Sequence, residues 1–127
     1  MFWTVFTFIT YFSYSMAQFT VIQEATITAP LGGNVILSSG RSDGPVAAGN
    51  YPAWVYQAPG SVPKGLTGSN GNNHNLKPPG TSERFTGSIQ GGSSVLSISN
   101  VQAADEGDYF CSLWAGSAYT VLQIHTQ

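Results

Sequence analysis

The sequence predicts an all-β domain of many short strands, and three observations carry that prediction. Fifteen Gly and seven Pro, with many Ser, Thr and Asn, punctuate short apolar runs of strand length. No long stretch repeats its apolar residues at the helical period of about 3.6. Within Ser94 to Ser99, Leu96 and Ile98 fall on one side of an alternating run, partly offset by Val95, which fits a sheet with one packed and one wetted face.

The 127 residues accommodate one domain of roughly 100 to 110 residues behind a targeting segment. Met1 to Ala17 has no charged side chain and is crowded with Phe2, Trp3, Val5, Phe6, Phe8, Ile9, Tyr11 and Phe12. It reads as a signal peptide without a positive n-region, and Ser15-Met16-Ala17 offers the small residues for cleavage before Gln18. A membrane anchor is the competing reading, but the apolar run falls short of the roughly 20 residues that span a bilayer. The expected organisation is a signal peptide over 1–17, a domain over 18–119 and a C-terminal tail over 120–127, with the mature product secreted or held at a cell surface by a partner.

Along the mature chain, strands are expected over Thr20 to Ile22, Val35 to Leu37, Ala53 to Gln57, Phe85 to Ile89, Val95 to Ile98 and Asp108 to Leu113. Gln90-Gly91-Gly92-Ser93 lies between two of them and reads as a hairpin turn. Gly40 to Asn50 and Gly68 to Thr81 read as long polar loops, the second solvated. Charged residues make up 8% of the chain and the net charge is -2, so there is no basic patch for phosphates or an anionic membrane. Nucleic acid is therefore not an expected partner, and no stretch after the signal peptide is apolar over enough residues to insert the mature domain in a membrane.

Three motifs then fall in a recognisable order. Trp54-Val55-Tyr56-Gln57-Ala58-Pro59-Gly60, Arg84-Phe85-Thr86-Gly87-Ser88 and Asp105-Glu106-Gly107-Asp108-Tyr109-Phe110-Cys111 resemble the strand-C tryptophan run, the R-F-x-G-S run and the D-x-x-x-Y-x-C run of immunoglobulin V-set domains. Gln23-Glu24, Gly32 to Leu37, Gly49 to Trp54 and Leu113-Trp114 are similar to lambda light-chain variable segments. The resemblance implies a Greek-key β-sandwich in which Trp54 is buried, Arg84 pairs with Asp105, and the Tyr109 hydroxyl ties a turn to its strand.

Two departures accompany it. The resemblance puts the partner of Cys111 in the inter-sheet disulfide where Ser39 stands, and the chain has one Cys. Losing such a bridge costs about 2 to 5 kcal/mol, and Cys111 is expected to be a buried, inert small hydrophobe, with an intermolecular disulfide or a reactive thiol as the alternative. The joining-segment F-G-x-G bulge is also absent after Cys111, so the last strand is expected to be incomplete or improvised from Thr120 to Ile124. Such an ending resembles an unrearranged germline V segment. A surrogate light chain of pre-B cells and a nonfunctional germline relic are the alternatives.

As a lambda-like domain, the chain is expected to recognise antigen and to pair with a heavy-chain variable domain. The resemblance assigns Val55, Gln57, Pro63, Leu66 and Phe110 to the pairing face, where Gln57 can exchange two amide hydrogen bonds across a pseudo-two-fold axis. The plainer reading is that these residues cover the sheet of a lone domain. The loops Arg41 to Asn50, Gly68 to Pro78 and Ser112 to Ala118 are expected to cluster, with Arg41, Asp43, Asn50, Tyr51, Asn72, Asn73, His74, Trp114 and Tyr119 as antigen-contact candidates. No enzyme, metal or cofactor is expected. His74 and His125 form no cluster with the single Cys, and the carboxylates of Asp105, Glu106 and Asp108 crowd one turn.

Overall fold

The computed structural model describes residues 21–23, 26–27, 30–116 and 119–126, so the proposed signal peptide over 1–17 and its cleavage before Gln18 lie outside the described residues. Among the described residues nine strands are formed: β1 (Val21–Gln23), β2 (Thr26–Ile27), β3 (Val35–Arg41), β4 (Ala53–Gln57), β5 (Lys64–Thr67), β6 (Phe85–Gln90), β7 (Ser93–Ile98), β8 (Gly107–Trp114) and β9 (Tyr119–Thr126). One sheet has the order β1-β3-β7-β6 and the other β2-β9-β8-β4-β5. All pairs are antiparallel except β2 with β9. Two short 3-10 turns, Ala48–Asn50 and Ala103–Asp105, are the helical elements described. No helix among the described residues is long and apolar enough to cross a membrane.

The alternation of the strands builds the core. Along β8, Gly107, Tyr109, Cys111 and Leu113 are buried while the residues between them are partly exposed. They meet Leu37 and Ser39 of β3, Leu96 and Ile98 of β7, Phe85 of β6 and Trp54 of β4. Each fully buried aliphatic or aromatic side chain removes enough apolar surface from water to contribute about 1.5 to 3 kcal/mol. This is the immunoglobulin-like β-sandwich that the sequence predicts.

Polar groups at the centre of that core are paired, whereas Oγ1 of the buried Thr67 on β5 has no hydrogen-bond partner. Ser39 Oγ donates to Cys111 Sγ across the gap between the sheets. Trp54 Nε1 donates to Ser94 Oγ at 3.1 Å. Burial pushes the Cys111 thiol up to about 11, outweighing the opposing hydrogen bonds from Ser39 and Ser94, so the sulfur is a protonated, sheltered group.

Beside the start of β8, a second polar cluster ties both sheets together. Arg84 Nη1 and Nη2 donate to the two carboxylate oxygens of Asp105 at 2.8 and 2.9 Å, and Nη1 reaches the carbonyls of Ser99 and Asn100. Tyr109 donates its hydroxyl to the Asp105 carbonyl at 2.6 Å and stacks at a tilt on Tyr56, 4.9 Å between ring centres. The Tyr56 hydroxyl lies 2.8 and 2.7 Å from the carbonyls of Ala104 and Glu106 and shares its proton between them.

Two boundaries move, and the last strand takes the improvised form that the sequence allows. The last strand is improvised but not incomplete: β9 pairs with β8 over its whole length, from Trp114↔Tyr119 to Gly107↔Thr126. Residues 120–126, set apart as a tail by the sequence reading, thus lie in the sheet. Ladder pairing needs extended backbone free of Pro, and Tyr119 to Thr126 supplies it with β-branched residues and neither Gly nor Pro. β3 continues to Arg41, so the loop expected from Gly40 begins later. Within that loop Val46 and Asn50 are buried.

The Arg84–Asp105 pair generates a prediction with a defined sign. Burial raises the Asp105 carboxyl, but hydrogen bonds from Arg84 and the Gln102 amide, with the guanidinium charge, leave it below its ordinary 3.8. Its contribution is then complete above the ordinary carboxylate range and is lost as pH falls through the depressed folded value. Arg84→Ala is expected to cost about 2 kcal/mol or more and to flatten the acid limb of stability between about pH 2 and 5, measured by urea unfolding across that range.

Candidate functional site

Two surfaces collect the residues that the sequence singles out. The first is the outer face of the five-stranded sheet. Trp54 and Tyr56 of β4 and Tyr109 and Cys111 of β8 point inward, which turns Val55, Gln57 and Phe110 outward. Val55 and Phe110 are directly opposed across the antiparallel pair, and Gln57 is opposite Asp108. Gln57 Nε2 donates to the Ser61 carbonyl at 2.8 Å, so its amide braces the turn after β4. The amide oxygen and a second N–H of Gln57 remain as further hydrogen-bonding capacity toward a neighbour.

Pro63 is exposed in that same turn, but Leu66 does not join the face. It is only 3% exposed and packs in the core, a correction to the sequence reading. A register shift between Trp54 and Val55 breaks the simple alternation of β5 against β4, so position in sequence misassigned its side. Val62, 81% exposed beside Pro63, was missed. Its available signal was an apolar residue within a Gly-, Ser- and Pro-rich turn.

The second surface lies beyond the far end of β8. Arg41 holds both Asp43 oxygens at 2.8 Å through Nε and Nη2, and that hydrogen-bonded guanidinium keeps the Asp43 carboxyl below its usual range. Arg41 Nη1 also reaches Asn50 Oδ1 at 3.3 Å. Asn50 Oδ1 accepts the Ala47 amide, and its Nδ2 donates to the Trp114 carbonyl, both at 2.8 Å. The fold therefore brings together Arg41, Asp43, Asn50 and Trp114. Asn50 is 6% exposed with its amide committed inside the loop, so it is a brace and not a contact residue. Nothing local in the sequence distinguishes such an Asn from a solvated one.

Tyr51 follows in the left-handed region, at φ 42°, and is exposed. A residue without glycine's freedom holds that conformation only under constraint, here beside the Asn50 brace. Its ring lies along Gly71 of the next loop, where an added Cβ would sit 3.4 Å from Tyr51 Cε1. In that loop Asn72 and Asn73 are exposed, while the half-buried His74 meets Ser69 Oγ through Nδ1 at 2.8 Å. The loop is pressed onto β6 at Gly87, whose amide donates to Asn75 Oδ1 at 2.9 Å. A Cβ at Gly87 would meet the His74 carbonyl at 2.5 Å, so glycine is required there. Tyr119 stands opposite Trp114 in the β8–β9 register, placed by its backbone.

A cleft of about 400 Å³ beside the start of β8, lined by Tyr56, Lys64, Leu66, Pro78, Pro79 and Phe85, was not anticipated. Its walls come from separate strands and a loop, and no local pattern announces them. Among the described residues no three His, Cys, Asp or Glu side chains gather as metal ligands would.

The brace makes a testable claim. Asn50→Ala leaves the Ala47 amide and the Trp114 carbonyl without their partner and is expected to cost about 1 to 3 kcal/mol in urea unfolding. A loss below about 0.5 kcal/mol would make Asn50 an ordinary surface residue.

The family model for the immunoglobulin V-set domain matches residues 22–127. Domains of this kind are typically extracellular or secreted recognition modules that pair with other immunoglobulin domains or bind ligands, and are not typically enzymes. With its two-sheet topology, buried Trp54 and Tyr109 corner, the chain belongs to the immunoglobulin V-set family.

Proposed function

We propose that this chain is the variable domain of a lambda-type immunoglobulin light chain. In this reading it pairs with a heavy-chain variable domain through the outer face of its five-stranded sheet and recognises antigen with the loops around Arg41, Asp43, Tyr51, Asn72, Asn73, His74, Trp114 and Tyr119. The observation that carries the reading is the opposed, outward-facing pair Val55 and Phe110, flanked by Gln57. An apolar centre with a bidentate-capable amide at its side is the chemistry of an interface core, where few charges are tolerated.

The loop end supports the recognition half of the proposal. A stiff exposed tyrosine, a fixed guanidinium–carboxylate pair and an asparagine-rich loop offer ring area and adaptable hydrogen bonds on one surface. The pairing of β9 along all of β8 supports a foldable germline form, because the sheet closes without an F-G-x-G bulge. It weighs against a relic too damaged to fold.

Titration with a heavy-chain variable domain tests the pairing by calorimetry. Phe110→Glu places a charge at the centre of the face and is expected to weaken association at least about tenfold, whereas Asn72→Ala leaves it unchanged. Association that Phe110→Glu does not alter would assign the face to a lone domain and overturn the reading.

A further inference from the structure

We infer that the loop around Asn70 is a self-modifying site, in which the Gly71 backbone nitrogen converts the Asn70 side chain to aspartate or isoaspartate with proton transfer through Ser69. Three arrangements in the loop point to it. The Asn70 side-chain carbonyl accepts the backbone amides of Asn72 at 2.9 Å and Asn73 at 2.8 Å. Two amides aimed at one carbonyl oxygen stabilise negative charge that develops there, as in an oxyanion hole. The nucleophile is equally prepared, since the Gly71 N–H donates to Ser69 Oγ at 3.1 Å. Ser69 Oγ in turn meets His74 Nδ1 at 2.8 Å, which gives the transferred proton a base to rest on.

The chain's covalent geometry completes the site. Asn70 is exposed and, alone among the chain's asparagines, is followed by Gly. Gly71 sits at φ 98°, a conformation that residues with a side chain rarely adopt, and presents no Cβ beside the attacking nitrogen. Closure joins Gly71 N to Asn70 Cγ in a five-membered ring. The Gly71 proton passes to Ser69 Oγ as the Ser69 hydroxyl proton moves to His74 Nδ1, in the tautomer where Nδ1 accepts. The carbonyl π electrons move onto Oδ1. Collapse of that oxyanion re-forms the carbonyl and expels Nδ2, which takes the proton back and leaves as ammonia. Water then opens the cyclic imide at either carbonyl. The balance is asparagine plus water giving aspartate or isoaspartate plus ammonia, with no oxidant or reductant.

Ser69 is the catalytic residue because it touches the reacting nitrogen; His74 acts through Ser69 and is a positioning residue. The product carries a new negative charge on the loop against Tyr51. The aspartate form keeps the two amide bonds and strengthens them with charge. The isoaspartate form lengthens the backbone and opens the turn. The binding end of the domain would thereby change charge with time after synthesis.

Peptide mapping of the folded chain during incubation at neutral pH, beside a free peptide of residues 68–76, tests this. Asn70 is expected to convert at least about tenfold faster in the folded chain than in the peptide. Ser69→Ala and His74→Phe are expected to fall to the peptide's rate, while Ser69→Thr, which keeps a hydroxyl, retains the folded rate. Conversion no faster than the peptide's, or equal rates in Ser69→Thr and Ser69→Ala, would overturn the proposal.

Discussion

Between the two sheets, Ser39 on β3 donates a hydrogen bond to Cys111 on β8, whose partner in the β4–β8 register is the buried Trp54. In this family a covalent bridge would normally occupy that place, and its loss removes about 2 to 5 kcal/mol from a domain whose total stability is of order 5 to 15 kcal/mol. The replacement is a hydroxyl donating to a thiol, with Ser94 alongside accepting the Trp54 indole proton. Each of these polar atoms is paired, so this contact avoids the penalty of a buried orphan donor. It gains no chain-entropy advantage, and the remaining stability has to come from packing and from the polar cluster beside the start of β8. There Arg84, Asp105, Tyr56 and Tyr109 bind the turn before β8 to both sheets.

Much of this was legible in the sequence because it depends on local patterns. Alternation in β7 and β8, the spacing of Tyr109 and Cys111, and the Arg84 motif all announce themselves within a few residues. The structure departs where neighbours in space decide. β5 is four residues long and contains a Gly, so it gave no strand signal, and the register shift opposite it sent Leu66 inward. β2 has two residues and no pattern to read. β9 lies where an improvised strand was expected over Thr120 to Ile124, and pairing with β8 extends it to Tyr119–Thr126.

The candidate site divides along the same line. Val55, Gln57 and Phe110 follow from strand alternation and the family register. Asn50 does not, since its role comes from meeting Trp114, which is remote in sequence. The brace fixes the base of one loop while Tyr51 reaches toward Gly71 of the next, so rigidity at the root is combined with exposed chemistry at the tip. The same loop that carries Asn72 and Asn73 holds the Ser69–His74 pair, and this makes its hydrogen bonding more than a solvated turn.

Urea unfolding of the chain and of Ser39→Cys, each with and without reductant, tests most directly whether a noncovalent contact has replaced the bridge. The account predicts one cooperative transition for the natural chain, with the same midpoint under both conditions, and a gain of about 2 to 5 kcal/mol for Ser39→Cys only when oxidised. A natural chain whose midpoint moves with reductant, or an oxidised Ser39→Cys chain that gains nothing, would contradict it.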